Sequence, residues 1–465
     1  MIRRPPRSTQ SRSSAASDVY KRQIYDKATE VIKQGGKRRG ANMGIMPIDH
    51  PDIEEFINAK RKEGMLTNFN VSVAVTDKFM EAVAKNTEFE LVNPRNKKVV
   101  KKLPAGELWN QLVNAAWECG DPGIIFVDEI NRKQPTPQVG VIESTNPCGE
   151  VPLLPYEPCN LGSINMARMV KNGRIHWEKL RQIVRTATHF LDNVIDANKW
   201  PLPEVEQAAK ANRKIGLGVM GWAECLARCG IRYDSERALE LAEKTAKFIQ
   251  DESRKMSAEL GQERGSFPNL PRSIYAKKHK FLRNATTTTI APTGSISIIA
   301  NCTSGIEPFF AVSFVRDVMG GTKLLEINPY FEQLAKERGF YNKQLMVRIA
   351  KSGSIQKVPG IPADVKRLFM TSFDIKPEWH VRMQAAWQKF TDNAVSKTVN
   401  LPANAKQQDV EKIYQLAYKL KCKGITVFRY GSKKEQVLYV GKIPLEHLVV
   451  EEEFAGGCPS DVCPF

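Results

Sequence analysis

The chain alternates between two periods of hydrophobic and polar positions. Residues 69–75, FNVSVAV, alternate and are rich in β-branched side chains, which predicts a strand. Asp77 is then placed to cap a helix that runs through Ala84. Residues 177–197 repeat apolar side chains every three to four positions, which predicts a helix. Its expected buried face comprises Ile183, Val184, Ala187, Phe190, Leu191, Val194 and Ile195.

Other segments continue this mixture of helices and short strands. Residues 24–44 favour an amphipathic helix that ends at Gly35 and Gly36 and is followed by a basic loop. Residues 285–308 favour a strand, a loop and a short helix. The remaining predictions are a buried strand in 122–131, a helix and a strand in 379–401, and a strand in 423–430. Alternating helices and strands indicate an α/β fold.

Length and composition bound the class of protein. With 42% hydrophobic and 26% charged residues, the sequence is typical of a soluble globular protein. Its 465 residues exceed one ordinary core, unless the fold is a large barrel or a multilayer enzyme. No run of eighteen apolar residues occurs, so no membrane contact is expected.

The formal net charge of +18 raises the question of nucleic acid. The basic residues form no long block and no aromatic-interleaved RNA motif, so no nucleic-acid partner is expected. Substrate phosphates or a merely basic surface account for the charge. Residues 1–23 hold six Arg or Lys and one Asp, and their SDVYKRQ resembles translated adapter sequence. We interpret 1–23 as a non-native or disordered leader, with the natural chain entering at about Ile24.

Nine cysteines in a long chain without a secretion signal indicate a reducing, cytoplasmic compartment. Most of these thiols are expected to be buried and inert. Cys458 and Cys463 fall in an acidic, flexible tail, residues 444–465. Two ligands are too few for a structural zinc site, so no metal is predicted, and an exposed dithiol suits thiol–disulfide exchange.

Two glycine-containing motifs invite a nucleotide-binding interpretation. GLGVMG, residues 216–221, matches a dinucleotide loop, but a polar helical segment precedes it instead of a strand, so chance or close helix packing through glycines explains it better. APTGSIS, residues 291–297, places glycine and hydroxyl groups where a strand meets a helix. That arrangement suits a phosphate, although an ordinary helix cap has the same composition.

Residues 144–160, STNPCGEVPLLPYEPCN, concentrate reactive side chains in one loop. Four prolines exclude a long helix. Cys148 could serve as a nucleophile or a redox thiol, and Glu150 could move protons beside it. Cys159 adds a second thiol, which favours redox chemistry. A thiol-dependent hydrolase built on Cys148 and Glu150 remains an alternative, although no histidine lies near this loop in sequence.

The sequence blocks together resemble the large catalytic subunit family of ribonucleotide reductases, in its class II, adenosylcobalamin-dependent branch. The resemblance runs from about Ile24 to the end of the chain. It rests on GGKRRGANMGIMPIDHPDI, LTNFNVSVAVTD, GDPGIIFVDEINR, ESTNPCGEVPLLPYEPCNLGSIN, ANRKIGLGVMGWAE, TTTTIAPTGSISIIANCTSGIEP, PEWHVRMQAAWQKFTDNAVSKTVNLP and CKGITVFRYGS. The absence of a Tyr-Tyr pair and the presence of NPCGE favour class II over an iron or manganese partner subunit.

The resemblance implies a ten-stranded α/β barrel of two five-stranded halves with a central finger loop. Residues 24–443 would form this barrel, incomplete on its N-terminal side. Cys148 would carry the thiyl radical that abstracts the ribose 3′-hydrogen, and Glu150 would accept the 3′-hydroxyl proton. Asn146 would orient the substrate.

The resemblance also assigns electron transfer and ligand contacts. Cys159 would supply electrons as one of a reducing pair, and Cys458 with Cys463 would re-reduce that pair. The expected substrate contacts are Ser144, Thr145, Pro147, Gly149, Pro292, Thr293, Gly294, Ser295 and Ile296. The expected specificity loop includes Gly36, Lys37, Arg38, Arg39, Gly40 and Asn42. The implied partners are a ribonucleotide, a thioredoxin- or glutaredoxin-like reductant and, in a full-length protein, a second copy as a homodimer.

Two departures qualify the resemblance. The family's partner for Cys159 and its dNTP or ATP effector helices lie upstream of the segment present here, so a catalytically incompetent nucleotide-binding fragment is a second hypothesis. Tyr430 stands where cobalamin-dependent relatives commonly carry an acidic residue.

Overall fold

The computed structural model describes residues 23–34, 38–62, 64–318, 322–432 and 448–449. Helices and short strands alternate, which confirms the α/β class. The helices are α1 (23–31), α2 (Ile53–Asn58), α3 (Asp77–Lys85), α4 (Ala105–Cys119), α5 (Val127–Arg132), α6 (Trp177–Ala197), α7 (Pro203–Asn212), α8 (Trp222–Arg228), α9 (Glu236–Arg264), α10 (Gly294–Ile299), α11 (Pro329–Glu337), α12 (Lys343–Ser352), α13 (Ala363–Leu368), α14 (Pro377–Gln388) and α15 (Gln407–Lys419). Within the described ranges, no helix combines the length and the apolar character that a membrane span requires.

The strands are short. They are β1 (Lys33–Gln34), β2 (Arg38–Arg39), β3 (Asn42–Pro47), β4 (Phe69–Val75), β5 (Glu88–Val92), β6 (Val99–Pro104), β7 (Gly123–Phe126), β8 (Ser144–Thr145), β9 (Pro152–Leu153), β10 (Asn160–Asn165), β11 (Val170–Lys171), β12 (Arg174–Ile175), β13 (Ile215–Met220), β14 (Ser313–Val318), β15 (Thr322–Ile327), β16 (Thr398–Leu401), β17 (Gly424–Arg429) and β18 (Leu448–Val449). The described residues divide into a larger compact unit, 23–307 with 375–432, and a smaller one, 308–374 with 448–449.

A five-stranded sheet of order β16-β17-β7-β4-β3 forms one part of the larger unit. Its ladders are parallel except for β7 with β17. Helices α4 and α15 pack against β17 of this sheet, and α3 packs against α4. The three helices bury Phe79, Trp109 and Tyr414. The rings of Trp109 and Tyr414 meet edge to face, with centroids 6.1 Å apart. Burial of these large side chains fixes the sheet from one side.

A second group of parallel strands lies in the same unit. β10 pairs with β13 in a register that places Asn160 beside Ile215. Residues 286–290 add to β13 through backbone hydrogen bonds, and Ile290 bridges to Val395. The segment 393–401 therefore belongs to both strand groups, since its later residues form β16 in the five-stranded sheet.

Glycine permits the close approach of the strands in this second group. A Cβ atom added to Gly218 would lie 2.2 Å from the carbonyl oxygen of Thr289, inside any tolerable contact. Residues 216–220 of GLGVMG therefore lie in a buried strand, where Gly216 and Gly218 serve packing between strands and not between helices.

The smaller unit contains a hairpin and three helices. β14 and β15 pair in antiparallel fashion, and β18 adds parallel to β15. Phe309, Phe331 and Phe369 are buried together. The ring centroid of Phe369 lies 5.2 Å from that of Phe309 and 5.1 Å from that of Phe331. This aromatic cluster gives the smaller unit its own core.

The structure confirms several predicted elements and corrects others. The strand at 69–75 and the helix at 177–197 have their predicted bounds. Phe190 is 64% exposed, so its placement on the buried helical face was wrong. Helix α1 ends at residue 31, before the glycines, and Thr76 in place of Asp77 caps α3 by accepting a hydrogen bond from the N–H of Phe79.

Candidate functional site

Cys148 lies in the tight turn of a short hairpin. β8 and β9 pair in antiparallel fashion, and the N–H of Gly149 donates to the carbonyl of Asn146 at 2.9 Å. Pro147 and Cys148 are the two central residues of this turn, and proline presets the backbone there. Gly149 has a φ of +79°, a conformation that glycine adopts without strain. The sequence thus builds a turn that presents one cysteine.

Three hydrogen bonds fix this hairpin between the two strand groups. The side-chain nitrogen of Asn70, on β4, donates to the carbonyl of Pro147 at 2.6 Å. The carbonyl of Glu150 accepts from the N–H of Ala394 and from the hydroxyl of Thr289, both at 2.8 Å. The turn is therefore held from both sides by backbone and neutral side-chain groups.

Glu150 is buried, two residues after the exposed Cys148. Its side chain is 3% exposed, and its Oε2 atom makes no hydrogen bond. Burial raises the pKa of the Glu150 carboxyl, while a hydrogen bond from the Asn146 side chain opposes the rise. A buried carboxylate oxygen without a partner is costly and rare. Such a group can accept a proton or bind a hydroxyl that enters the site.

Asn146, at the start of the turn, helps to hold Cys148 and Glu150 in place. Its Oδ1 atom accepts from the N–H of Val151 at 2.9 Å, which closes the hairpin across the turn. Thr145 is buried and its hydroxyl donates to the carbonyl of Asn146 at 2.9 Å, while Ser144 is exposed. Asn146, Cys148 and Glu150 are therefore brought together by one turn.

Cys159 lies just before β10, on a neighbouring segment. The register of β10 and β13 places residue 159 beside Lys214, whose ammonium donates to Glu157 at 2.5 Å. Burial raises the pKa of the Cys159 thiol to about 12, and Lys214 opposes this effect. The Glu150 carboxylate also raises the pKa of the Cys159 thiol.

The predicted phosphate loop is an exposed turn into α10. Thr293 adopts a left-handed conformation with φ of +55°, and its hydroxyl accepts from the N–H of Gly305 at 2.8 Å. A Cβ atom at Gly294 would meet no atom within 4 Å. Ser295 and Ile296 are exposed, and Pro292 is partly buried. The first residues of α10, 294–296, are therefore exposed.

The predicted specificity loop is described only in part. Gly36 and Lys37 lie outside the described residues, and Arg38 with Arg39 forms β2, paired with β1. Gly40 approaches Thr29 of α1, where an added Cβ would lie 2.8 Å from its methyl group. The side chain of Asn42 donates to the Thr29 hydroxyl at 2.8 Å.

Three further residues were singled out from the sequence, namely Cys458, Cys463 and Tyr430. Cys458 and Cys463 lie outside the described residues. Tyr430 follows β17, where its N–H donates to the carbonyl of Leu401 at 2.9 Å. Among the residues that the structure describes, no cluster of three His, Cys, Asp or Glu side chains could hold a metal ion.

Sequence reasoning missed the residues that support the site from other elements. Asn70, Thr289 and Ala394 contact the hairpin, and Lys214 with Glu157 lies beside Cys159. A signal existed for Lys214, since a lysine directly before an uninterrupted buried strand is unusual unless it is paired. The hydrogen-bonding role of Asn70 had no local signal.

Comparisons with known proteins agree on one family. The profile described as "Ribonucleotide reductase, barrel domain" matches residues 4–282 and 278–428. The chain is 49% identical to the vitamin B12-dependent ribonucleoside-diphosphate reductase of Thermoplasma acidophilum over 97% of this chain and 61% of that protein. It is 50% identical to the protein of the same name from Mycobacterium tuberculosis, over 97% of this chain and 64% of that protein.

A solved structure supports the fold independently. The Actinobacillus ureae class Id ribonucleotide reductase alpha subunit superposes with a TM-score of 0.71 at 23% identity, covering 88% of this chain and 73% of that chain. The chain spans less than two thirds of the length of its curated vitamin B12-dependent ribonucleoside-diphosphate reductase relatives.

Proposed function

Because the chain belongs to the ribonucleotide reductase barrel-domain family, we propose that it carries the chemistry of ribonucleotide reduction, with a ribonucleoside diphosphate as substrate. The observation that carries the proposal is the turn that presents an exposed Cys148 beside the buried, incompletely bonded Glu150. The Thermoplasma and Mycobacterium relatives are named vitamin B12-dependent ribonucleoside-diphosphate reductases, which supports a diphosphate substrate and a vitamin B12 cofactor.

Replacing a 2′-hydroxyl by hydrogen needs a radical, since acid–base groups alone do not remove a non-acidic C–H hydrogen. In the proposed reaction the Cys148 sulfur radical abstracts the 3′-hydrogen of the ribose. Glu150 accepts the proton of the 3′-hydroxyl, a role that its raised pKa and free Oε2 suit. The side chain of Asn146 orients substrate and carboxylate.

Replacing the 2′-hydroxyl by hydrogen and releasing it as water consumes two electrons and two protons, which a dithiol releases when it becomes a disulfide. Cys159 is the proposed source within this chain, as one member of a dithiol that becomes a disulfide. A thioredoxin- or glutaredoxin-like protein, through Cys458 and Cys463, is the proposed means of restoring the dithiol. The N–H groups around Gly294 and Ser295 are the proposed contacts of the substrate phosphates, and the 36–42 loop is the proposed specificity element.

The proposed radical source is adenosylcobalamin, which supplies a hydrogen-abstracting carbon radical when bound. The local structure fits a bulky group at the turn. Cys148 is exposed, and a Cβ atom added to Gly149 would meet no atom within 4 Å. The turn from Pro147 to Gly149 is therefore the part of the chain that such a group would face.

We also propose that the two strand groups are halves of the ten-stranded barrel implied by the family resemblance. Two features support this. The segment 393–401 contributes to both groups, and the hairpin is hydrogen-bonded to β4 on one side and to Thr289 and Ala394 on the other. A hairpin held in this way corresponds to a finger loop.

The test is deoxynucleotide formation with adenosylcobalamin and a dithiol. It is run on this chain and on a version extended with the remaining sequence of the Thermoplasma relative. Cys148→Ser is expected to abolish turnover, whereas Cys229→Ser, directly after α8, is the matched cysteine control and is expected to retain it. Turnover that survives Cys148→Ser would remove the radical role. Acylation of Cys148 independent of cobalamin would favour the hydrolase.

A further inference from the structure

Cys159 follows Glu157 by two residues and, in the register of β10 with β13, lies beside Lys214, so a fixed pair of opposite charges flanks it. Lys214 and Glu157 are 3% and 9% exposed as whole residues, and their charged atoms are 2.5 Å apart. Lys214 directly precedes β13, and Cys159 directly precedes β10, so the parallel register sets them side by side. The charged groups that act on the Cys159 sulfur are Lys214, Glu157 and Glu150.

The carboxylate of this pair cannot turn away from its position. Glu157 Oε2 also accepts from the N–H of Leu154 at 2.7 Å, and Oε1 accepts from the side chain of Asn212 at 2.5 Å. Both carboxylate oxygens of Glu157 therefore accept hydrogen bonds, and Oε2 also holds the ammonium of Lys214. A buried ion pair is weak evidence for stability, because apolar residues of similar volume often serve as well. Its location beside a thiol calls for a second explanation.

We propose that Lys214 and Glu157 are positioning residues that set the ionisation of the Cys159 sulfur, with the ammonium favouring the thiolate and the carboxylate limiting it. The role in turnover depends on the proposed function; the effect on the sulfur does not. When a thiolate reductant attacks the partner sulfur of a disulfide that includes Cys159, a new S–S bond forms there. The old S–S bond breaks, and Cys159 leaves as a thiolate beside Lys214.

The Cys159 thiolate is scarce, because burial is the largest of the effects that together raise the pKa of the Cys159 thiol to about 12. Among the charged groups, Lys214 lowers this pKa, and Glu157 and Glu150 raise it. Leaving-group thiols depart faster when their thiolates are more stable. The balance between Lys214 and the two carboxylates therefore controls how readily this sulfur is released.

The experiment measures the pH dependence of Cys159 alkylation by iodoacetamide in the native chain, resolved by peptide mass spectrometry. Glu157→Gln keeps the shape of the side chain and removes its charge, so the alkylation midpoint is expected to fall. Lys214→Gln is expected to raise it and to slow alkylation at pH 9 by about tenfold, equivalent to one pH unit. The alkylation midpoint of the double variant is expected to lie between those of the parent and Lys214→Gln, because Lys214 affects the Cys159 thiol more than Glu157 does.

The alkylation midpoint is expected to shift in opposite directions in the two single variants, and this difference separates a charge effect from loosened packing. A variant that merely opens the structure exposes Cys159 and lowers its midpoint, so faster alkylation in both single variants would overturn the proposal, as would no change in Lys214→Gln. Lys397→Gln is the control, because it breaks an ion pair between the buried Lys397 and the partly buried Glu307 that does not act on Cys159. Shifted alkylation without deoxynucleotide formation would remove the proposed function and keep the charge effect.

Discussion

Glu150 and Glu157 are both buried, and they lie seven positions apart, but their surroundings differ. Glu157 has hydrogen bonds at both carboxylate oxygens and an ammonium at 2.5 Å. Glu150 has an Oε2 atom without a partner and a raised pKa. One carboxylate is satisfied by the protein and belongs to its scaffold. The other is left incomplete by the protein, which is the condition of a group that meets a substrate.

Glu150→Gln is the strongest test of this contrast. Turnover in the extended version is expected to fall by about 10²–10⁴-fold, because the amide cannot accept the 3′-hydroxyl proton. The free energy of unfolding is expected to stay equal or increase, since a disfavoured buried charge is removed. Chemical denaturation and deoxynucleotide assays measure the two quantities. A variant that keeps turnover would show that Glu150 is not the proton acceptor.

Glu157→Gln is expected to lower the free energy of unfolding, unlike Glu150→Gln. Removing one partner of a buried ion pair leaves Lys214 uncompensated, so the free energy of unfolding should fall by about 3 kcal/mol. Chemical denaturation beside Glu150→Gln provides the matched comparison of two buried Glu→Gln changes. Equal stability in the two variants would contradict the division into scaffold and substrate-facing carboxylates.

The pH dependence of Glu150 provides a third test. Turnover is expected to fall about tenfold per unit as the pH drops below the raised pKa of the Glu150 carboxyl, because the proton acceptor becomes occupied. The free energy of unfolding is expected to change with pH in the opposite direction. The folded carboxyl holds its proton to higher pH than the unfolded one, so stability is lost as pH rises from the ordinary carboxyl pKa through the raised value. This trend should be absent in Glu150→Gln.

Asn70→Ala tests the anchoring of the hairpin and should have the smallest effect. It removes the donor to the carbonyl of Pro147, at a cost of about 1 kcal/mol in the free energy of unfolding. Turnover is expected to fall because the turn with Cys148 is less well fixed. Asn58→Ala removes a comparable side-chain-to-backbone hydrogen bond within α2 and is the control, with turnover unchanged. Equal turnover in both variants would argue against a role for the β4 contact.

Local sequence predicted those parts of the fold that depend on local patterns. Helix 177–197 has its predicted bounds because its apolar period is long and regular. Phe190 was misplaced because the buried stripe follows Leu180, Val184, Leu191 and Ile195, which leaves position 190 outside it. A period identifies a helix more securely than it identifies the edge of the buried face.

The candidate site was predicted only where its residues are neighbours in sequence. Asn146, Cys148 and Glu150 share one turn, so a single motif contained them. The incomplete bonding of Glu150 was not predictable, because it results from packing. Lys214 reaches Cys159 only through the register of β10 with β13, which connects segments far apart in the chain. Pairings of this kind are decided by tertiary contacts that no local pattern encodes.

The hydrogen bond from Ala394 to Glu150 has a consequence for biosynthesis. The hairpin emerges from the ribosome long before the segment 393–401 that holds its second side. Contacts between such distant segments form late, after the loop between them has closed. The reactive thiol is therefore expected to lack its final geometry during most of translation. Pulse proteolysis of stalled nascent chains should show the hairpin becoming protected only after β16 has left the exit tunnel.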